Sequence, residues 1–174
     1  EIAKRIKPFG TTLIGYSRKV SKKDKYLTDI YISKDLKKSV VNVDYLIVAC
    51  PLTDKTKNMI NIDIFKSMKK TAVVINIARG GIINESDLYK ALKSKMIGGA
   101  IIDTWFKYPH NKEENGFKPS NYSFNKMKNV VMSPHISAWS ENMIDRRSKV
   151  ISNNINRLYE GKSLINVVKK TSNP

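Results

Sequence analysis

The sequence predicts an α/β protein built on a doubly wound parallel sheet, and three observations lead there. Short apolar runs recur along the chain without polar alternation, the pattern of strands buried on both faces. Segments of helical periodicity separate them, opened by Asn or Ser and several closed by Gly. The polar or unusual residues follow the strands directly, where open α/β sheets bind their ligands.

Taken in order, Glu1 to Phe9 places Ile2, Ala3 and Ile6 on one face, with Pro8 near its end and Gly10 as a left-handed stop, and reads as an uncapped helix. Thr11 to Tyr16 is a short β-rich run. Ser33 caps a helix through Val40, and Asp44 to Cys50 is a buried strand. Asn61 caps a helix over Ile62 to Met68, Ala72 to Ile77 is a second apolar strand, and Arg79-Gly80-Gly81 makes a tight turn. Asn84 caps a helix over Glu85 to Ser94. Gly99 to Asp103 is a strand, Lys107 to Lys128, with Gly116 and Pro119, is the longest loop, and Val130 to Ser133 resumes the sheet. Glu141 to Tyr159 forms a long amphipathic helix stopped by Gly161, and Leu164 to Val168 is an extended tail. No internal repeat is present.

At 174 residues, 41% of them hydrophobic and 9% aromatic, the chain can bury a core of one-domain size. The net charge of +17 taken alone suggests a nucleic-acid or acidic-membrane partner. The 32 Lys and Arg are spread along the chain, are mostly Lys and accompany abundant Ile and Asn, so the reading is a solvated basic surface with no nucleic-acid partner. The longest apolar stretches, such as Tyr45 to Cys50, fall far short of the ~20 residues of a membrane span, and nothing at the start resembles a signal peptide. A cytoplasmic location without membrane association is expected. With one cysteine, Cys50, and two histidines, neither a disulfide nor a structural metal site is expected.

The strand-end residues are Ser17 and Arg18, Cys50-Pro51, Ala78-Arg79, Asp103 and Pro134-His135. Arginine offers a planar fork that binds both oxygens of a carboxylate, and histidine can give and take back a proton near neutral pH. With a hydride source these are the parts needed to reduce a 2-oxo acid. Singly, each has a plainer reading, Arg79 as a turn residue and His135 as a structural one.

They do not stand singly. Val43-Asp-Tyr-Leu-Ile-Val-Ala-Cys-Pro-Leu-Thr53 with Thr56, Asn76-Ile-Ala-Arg-Gly-Gly-Ile-Ile-Asn-Glu85, Gly99-Ala-Ile-Ile-Asp103 and Asn129-Val-Val-Met-Ser-Pro-His-Ile-Ser-Ala138 follow one another along nearly the whole chain. In order and approximate spacing they resemble the D-isomer-specific 2-hydroxyacid dehydrogenases. The resemblance implies a Rossmann-like fold, with residues 1–140 as the dinucleotide-binding domain and 141–174 as a helix and tail returning toward a substrate domain. It implies that Arg79 binds the substrate carboxylate and that His135 is the acid/base. It further implies that Cys50, Pro51, Thr56, Ile77, Ala78, Ser137 and Ala138 line the cofactor, that Asp103 holds the nicotinamide carboxamide, and that the protein is a homodimer.

Three departures from the family pattern matter. Its Gly-x-Gly-x-x-Gly turn would precede Ile2 by a few residues and is not in this sequence. The expectation is a chain lacking the first strand, the phosphate loop and the N-terminal part of the substrate domain, which as given binds cofactor poorly and catalyses nothing. Apolar surface at Ile155, Leu158 and Tyr159 is then expected to be exposed. Second, the acidic residue that follows the second strand in NAD enzymes is replaced by Ser17-Arg18-Lys19, which suits a ribose 2′-phosphate. The cofactor expected is NADP, with NAD as the alternative. Third, Tyr108 stands where the family places the acidic partner of its histidine, so it joins Arg79 and His135 as a catalytic candidate. Glu113 or Glu114 could substitute for that carboxylate.

The leading expectation is an NADP-dependent oxidoreductase of a small 2-oxo acid, of the glyoxylate or hydroxypyruvate reductase type. A formate dehydrogenase-like hydride abstraction is the alternative, because the family's formate enzymes carry an uncharged residue at the Tyr108 position and Trp105-Phe106 resembles their local sequence. A non-catalytic, cofactor-sensing module like the family's corepressors is the third, against which the presence of both Arg79 and His135 argues.

Overall fold

The structure, a computed structural model, describes residues 1–17, 25–32, 36–109 and 116–167. The expected cap Ser33 lies outside them. Helix α1 (Ile2–Ile6) tightens into a 3-10 turn over Lys7–Phe9 that contains Pro8, and Gly10 at φ +71° ends it. Strands β1 (Ile14–Ser17) and β2 (Asp29–Ile32) follow, then helix α2 (Leu36–Ser39) and strand β3 (Tyr45–Val48). Helix α3 (Ile62–Ser67) is capped as expected, Asn61 Oδ1 accepting from the amides of Asp63 at 3.1 Å and Ile64 at 3.3 Å. Strand β4 (Val73–Asn76) leads through a 3-10 turn at Gly80–Ile82 to helix α4 (Glu85–Lys93), where Asn84 Oδ1 accepts from the Asp87 amide at 3.1 Å. Strands β5 (Gly99–Ile102) and β6 (Val130–Met132) and helix α5 (Met143–Tyr159) complete the order.

Among the described residues all strand pairs are parallel, as expected, and form two ladders, β1–β2 and β3–β4–β5–β6. Strand β2 is an element the sequence reading missed. The strands of the larger ladder also end one or two residues before their predicted limits, because Ala49-Cys50, Ile77, Asp103 and Ser133 leave the ladder to build the strand-end loops. Register aligns Val48 with Asn76, Asn76 with Ile102 and Ile102 with Met132. The carboxyl ends of four strands therefore lie in one row.

Residues paired in parallel register project to the same face. On one face Val48, Val74, Asn76, Ala100 and Ile102 are buried, and the core includes Ile64 and Phe65 of α3 and Leu88, Ala91 and Leu92 of α4. Phe65 and Leu88 are fully buried, each stabilising by about 1.5–3 kcal/mol relative to exposure. On the other face Ile47, Val73 and Ile75 are half-buried and Gly99 is buried, whereas Tyr45, Ile101 and Val131 are 63%, 37% and 60% exposed, so this face is covered in part. Helix α1, in the same compact unit, buries none of its residues.

The chain divides into two compact units, Glu1–His135 and Ile136–Pro174. In the second, the segment after α5 turns back along the helix instead of extending: Asn154 bonds the Ile165 amide at 2.9 Å and its carbonyl at 3.1 Å, and Arg157 Nε donates to the Ser163 carbonyl at 2.6 Å. Ile155, Leu158 and Tyr159 are exposed, as expected.

Candidate active site at the carboxyl ends of the strands

The loops after the aligned row Val48, Asn76, Ile102 and Met132 carry Cys50 and Pro51, Ala78 and Arg79, Asp103, and His135. Sequence alone put each of these after a strand; the register puts the strands' ends side by side.

After β3 and β4 the loops enclose an open cleft of about 620 Å³ lined by Ala49, Cys50, Pro51, Leu52, Ile77, Ala78 and Arg79. That is within the range of small-molecule and cofactor sites, roughly 300–1,000 Å³. Thr56, expected at the cofactor, is buried beside this cleft and shapes it: its hydroxyl donates to the Pro51 carbonyl and accepts from the Thr53 amide, both at 2.7 Å. Asn76 holds the other wall. Fully buried, it accepts from the Ala78 amide at 3.1 Å and donates to the Arg79 carbonyl at 3.0 Å, so one side chain braces the start of the turn bearing Arg79. Arg79 is exposed, and its guanidinium donates to the Ala78 carbonyl at 2.6 Å.

After β5 and β6 a second group assembles. The Asp103 carboxylate is buried and accepts from Ser133 Oγ at 2.5 Å, and the Asp103 amide donates to the Asn76 carbonyl at 3.0 Å. Trp105 Nε1 donates to the Ser133 carbonyl at 2.9 Å, and the Trp105 amide donates to the Tyr108 hydroxyl at 3.0 Å. The Tyr108 ring lies 5.3 Å from the His135 ring. His135 adopts φ +57°, a left-handed conformation that costs a non-glycine residue about 1–3 kcal/mol and is concentrated at functional sites. Thr104 beside Asp103 is wholly buried, and its hydroxyl has no hydrogen-bond partner among the described residues.

The remaining candidates are placed separately. Ser17 is exposed at the end of β1, on the smaller ladder, while Arg18, Glu113 and Glu114 lie outside the described residues. Ser137 and Ala138 are exposed at the start of the second compact unit. Sequence reasoning gave no role to Asn76, Ser133 or Glu85. The first was recognisable as a polar residue closing an apolar strand; the others act through partners some 30 residues away, which no local signal shows.

Residues 1–137 match the profile of the NAD binding domain of D-isomer specific 2-hydroxyacid dehydrogenases. The chain is 32% identical over 157 residues to the glyoxylate reductase/hydroxypyruvate reductase of Homo sapiens, covering 88% of this chain and 44% of that protein. It is 34% identical over 155 residues to the glyoxylate reductase of Pyrococcus horikoshii, covering 88% and 43%. Among solved structures, the NADPH-dependent glyoxylate/hydroxypyruvate reductase of Sinorhizobium meliloti, in complex with NADP and sulfate, superposes with a TM-score of 0.79 at 27% identity, over 97% of this chain and 51% of that one. The chain thus spans less than half the length of these two curated relatives.

Proposed function

The chain belongs to the D-isomer-specific 2-hydroxyacid dehydrogenase family, and from that premise we propose that it serves the NADP-linked reduction of a small 2-oxo acid of the glyoxylate or hydroxypyruvate kind. The observation that carries this reading is the aligned row of four strand ends, whose loops carry an arginine, a buried carboxylate and an imidazole at one edge of one sheet.

Arg79, at the rim of the cleft, holds the substrate carboxylate through its fork. His135 donates a proton to the carbonyl oxygen as the carbon is reduced and accepts one in the reverse direction. Tyr108 packs against the imidazole as an uncharged partner. The cleft has the size and the apolar walls that suit a nicotinamide group, with Cys50, Pro51, Ile77 and Ala78 along it and Thr56 fixing its loop. Asp103, buried next to this edge, offers a carboxylate acceptor for a carboxamide, and Ser137 and Ala138 are assigned to the same cofactor. Ser17, with Arg18 following it, is assigned to the ribose 2′-phosphate. When bound, the cofactor supplies the hydride.

Purified full-length protein should oxidise NADPH in the presence of glyoxylate or hydroxypyruvate. The uncharged contact of Tyr108 with His135 also favours a second reading, oxidation of formate with NAD(P)+, for which no acid/base is required. Formate turnover without glyoxylate reduction would replace the first reading by the second. Cofactor binding with neither activity would make the protein a sensing module.

The reading includes a homodimer in the cytoplasm. No helix among the described residues is long and apolar enough to cross a membrane. Light scattering and fractionation of source cells check the two points.

A further inference from the structure

The turn that carries Arg79 touches the loop that carries Tyr108 at two places. At its start, Gly80 packs against the backbone of Trp105 so closely that an added Cβ would lie 2.2 Å from the Trp105 carbonyl oxygen. At its far end, Glu85, the first residue of α4, reaches across 35 positions of sequence. Its Oε1 accepts from Ser120 Oγ and from the Asn121 amide, both at 2.7 Å, and its Oε2 accepts from Asn121 Nδ2 at 2.8 Å. Ser120 is buried, and its Oγ also accepts from the Tyr122 amide at 2.9 Å. The Tyr122 ring stacks on Tyr89 of α4 at 4.6 Å.

Between these two anchors the Lys107 amide donates to the Pro119 carbonyl at 3.0 Å. Tyr108 follows Lys107 directly, and its hydroxyl accepts from the Trp105 amide. A loop of this length fixed only at its strand ends would sample many conformations. Here a glycine contact fastens its described residues to the turn that follows Arg79, and a carboxylate with three donors and an aromatic stack fasten them to helix α4, into which that turn leads. Charge-assisted hydrogen bonds are the stronger kind, and three converge on one group.

We propose that Glu85 is a positioning residue that fixes the distance between the Arg79 anchor and the Tyr108–His135 pair, so that substrate binding and proton transfer are set by one clamp. The inference rests on the proposed reduction of a 2-oxo acid at this site. Loosening the clamp moves both sites at once, whereas a general loss of stability lowers the fraction of working enzyme and leaves KM alone.

The test uses the full-length protein with Glu85→Ala, Glu85→Gln and Ser120→Ala. Glyoxylate kinetics are paired with NADPH affinity and with hydrogen exchange of the segments 78–82 and 104–124. Glu85→Ala should lower kcat and raise the glyoxylate KM, together about 10- to 100-fold in kcat/KM, the cost of a misplacement near 1 Å. NADPH affinity should change less than the glyoxylate KM, since Ala49, Cys50, Pro51 and Leu52 on the cleft's other wall lie outside the clamp. Glu85→Gln keeps an acceptor for Ser120 and the Asn121 amide, and a turned Asn121 side chain can meet its new donor, so it should recover most of the loss. Ser120→Ala removes one bond and should fall between, which keeps the proposal testable if Glu85→Ala does not fold. A folded Glu85→Ala with unchanged KM, or with unchanged exchange in 104–124, overturns it. If the parent protein reduces no 2-oxo acid, the functional reading fails; the clamp is then judged by exchange alone, and protection of 78–82 that survives Glu85→Ala overturns it too.

Discussion

The phenol ring of Tyr108 lies 5.3 Å from the imidazole of His135, the planes inclined by 48°, while its hydroxyl accepts the Trp105 amide at 3.0 Å. The tyrosine thus fills the space beside the histidine and ties itself to the strand-end loop, yet supplies no charge. A carboxylate in that position would favour the protonated imidazole. Tyr108→Glu is therefore expected to extend glyoxylate reduction to higher pH, because the reduction consumes a proton held on His135 and the variant keeps it there longer. Tyr108→Phe retains the ring contact and loses only the acceptor for Trp105, a change of about 0.5–1.5 kcal/mol that should appear as a several-fold fall in kcat. Superimposable pH–rate profiles for the parent and Tyr108→Glu would remove Tyr108 from the site.

Arg79 is exposed in this structure, so its replacement leaves no buried charge behind. The expected loss is that of a charge-assisted contact to the substrate, about 2–3 kcal/mol, or roughly 30- to 150-fold in kcat/KM, carried mainly by KM. Arg79→Lys keeps the charge without the fork and should lie between Arg79→Ala and the parent. An unchanged KM for glyoxylate in Arg79→Ala ends its role as the carboxylate anchor.

The parts of this protein that follow local rules could be read from its sequence. Asn61 and Asn84 announce α3 and α4 because a cap needs only the next two or three amides. Four of the six strands stand out as apolar runs. Strand β2 does not, since Asp29–Ile32 is short and gains its identity from pairing with β1. An apolar run also does not show how completely each residue is covered, so it does not separate the exposed Tyr45, Ile101 and Val131 from the better buried residues of the same face. In the candidate site the strand-end positions of Arg79, Asp103 and His135 are legible, since each follows an apolar run. The contacts behind them are not: Ser133 on Asp103 and Ser120 on Glu85 join residues 30 and 35 positions apart.

Gly80 and Gly81 look interchangeable in the sequence and differ sharply in their surroundings. A Cβ on Gly80 would meet backbone, 2.2 Å from the Trp105 oxygen and 2.9 Å from the Phe106 nitrogen; on Gly81 it would meet only the tip of Leu52, at 3.3 Å. A leucine tip can rotate, whereas the strand-end backbone cannot move without carrying Trp105 and Tyr108 with it. Gly80→Ala should cost at least the roughly 1–3 kcal/mol of an overpacked core and abolish most activity, while Gly81→Ala stays close to the parent. Thermal unfolding of the two variants side by side decides this; equal midpoints would contradict the packing argument.

Cofactor choice turns on the end of β1, where Ser17 is exposed and an acidic residue would be expected in an enzyme that uses NAD. A carboxylate there accepts hydrogen bonds from both ribose hydroxyls and repels a 2′-phosphate, whereas a serine hydroxyl followed by Arg18 and Lys19 can donate to that phosphate and surround it with positive charge. Ser17→Asp should therefore weaken NADPH and strengthen NADH, changing their affinity ratio by about tenfold or more, at 1.4 kcal/mol per decade. The charge component is screened by salt, so the change should shrink between low and high ionic strength. Direct titration of both cofactors at two salt concentrations measures it. A parent that already prefers NADH, or a ratio that Ser17→Asp leaves unmoved, would return the cofactor assignment to NAD.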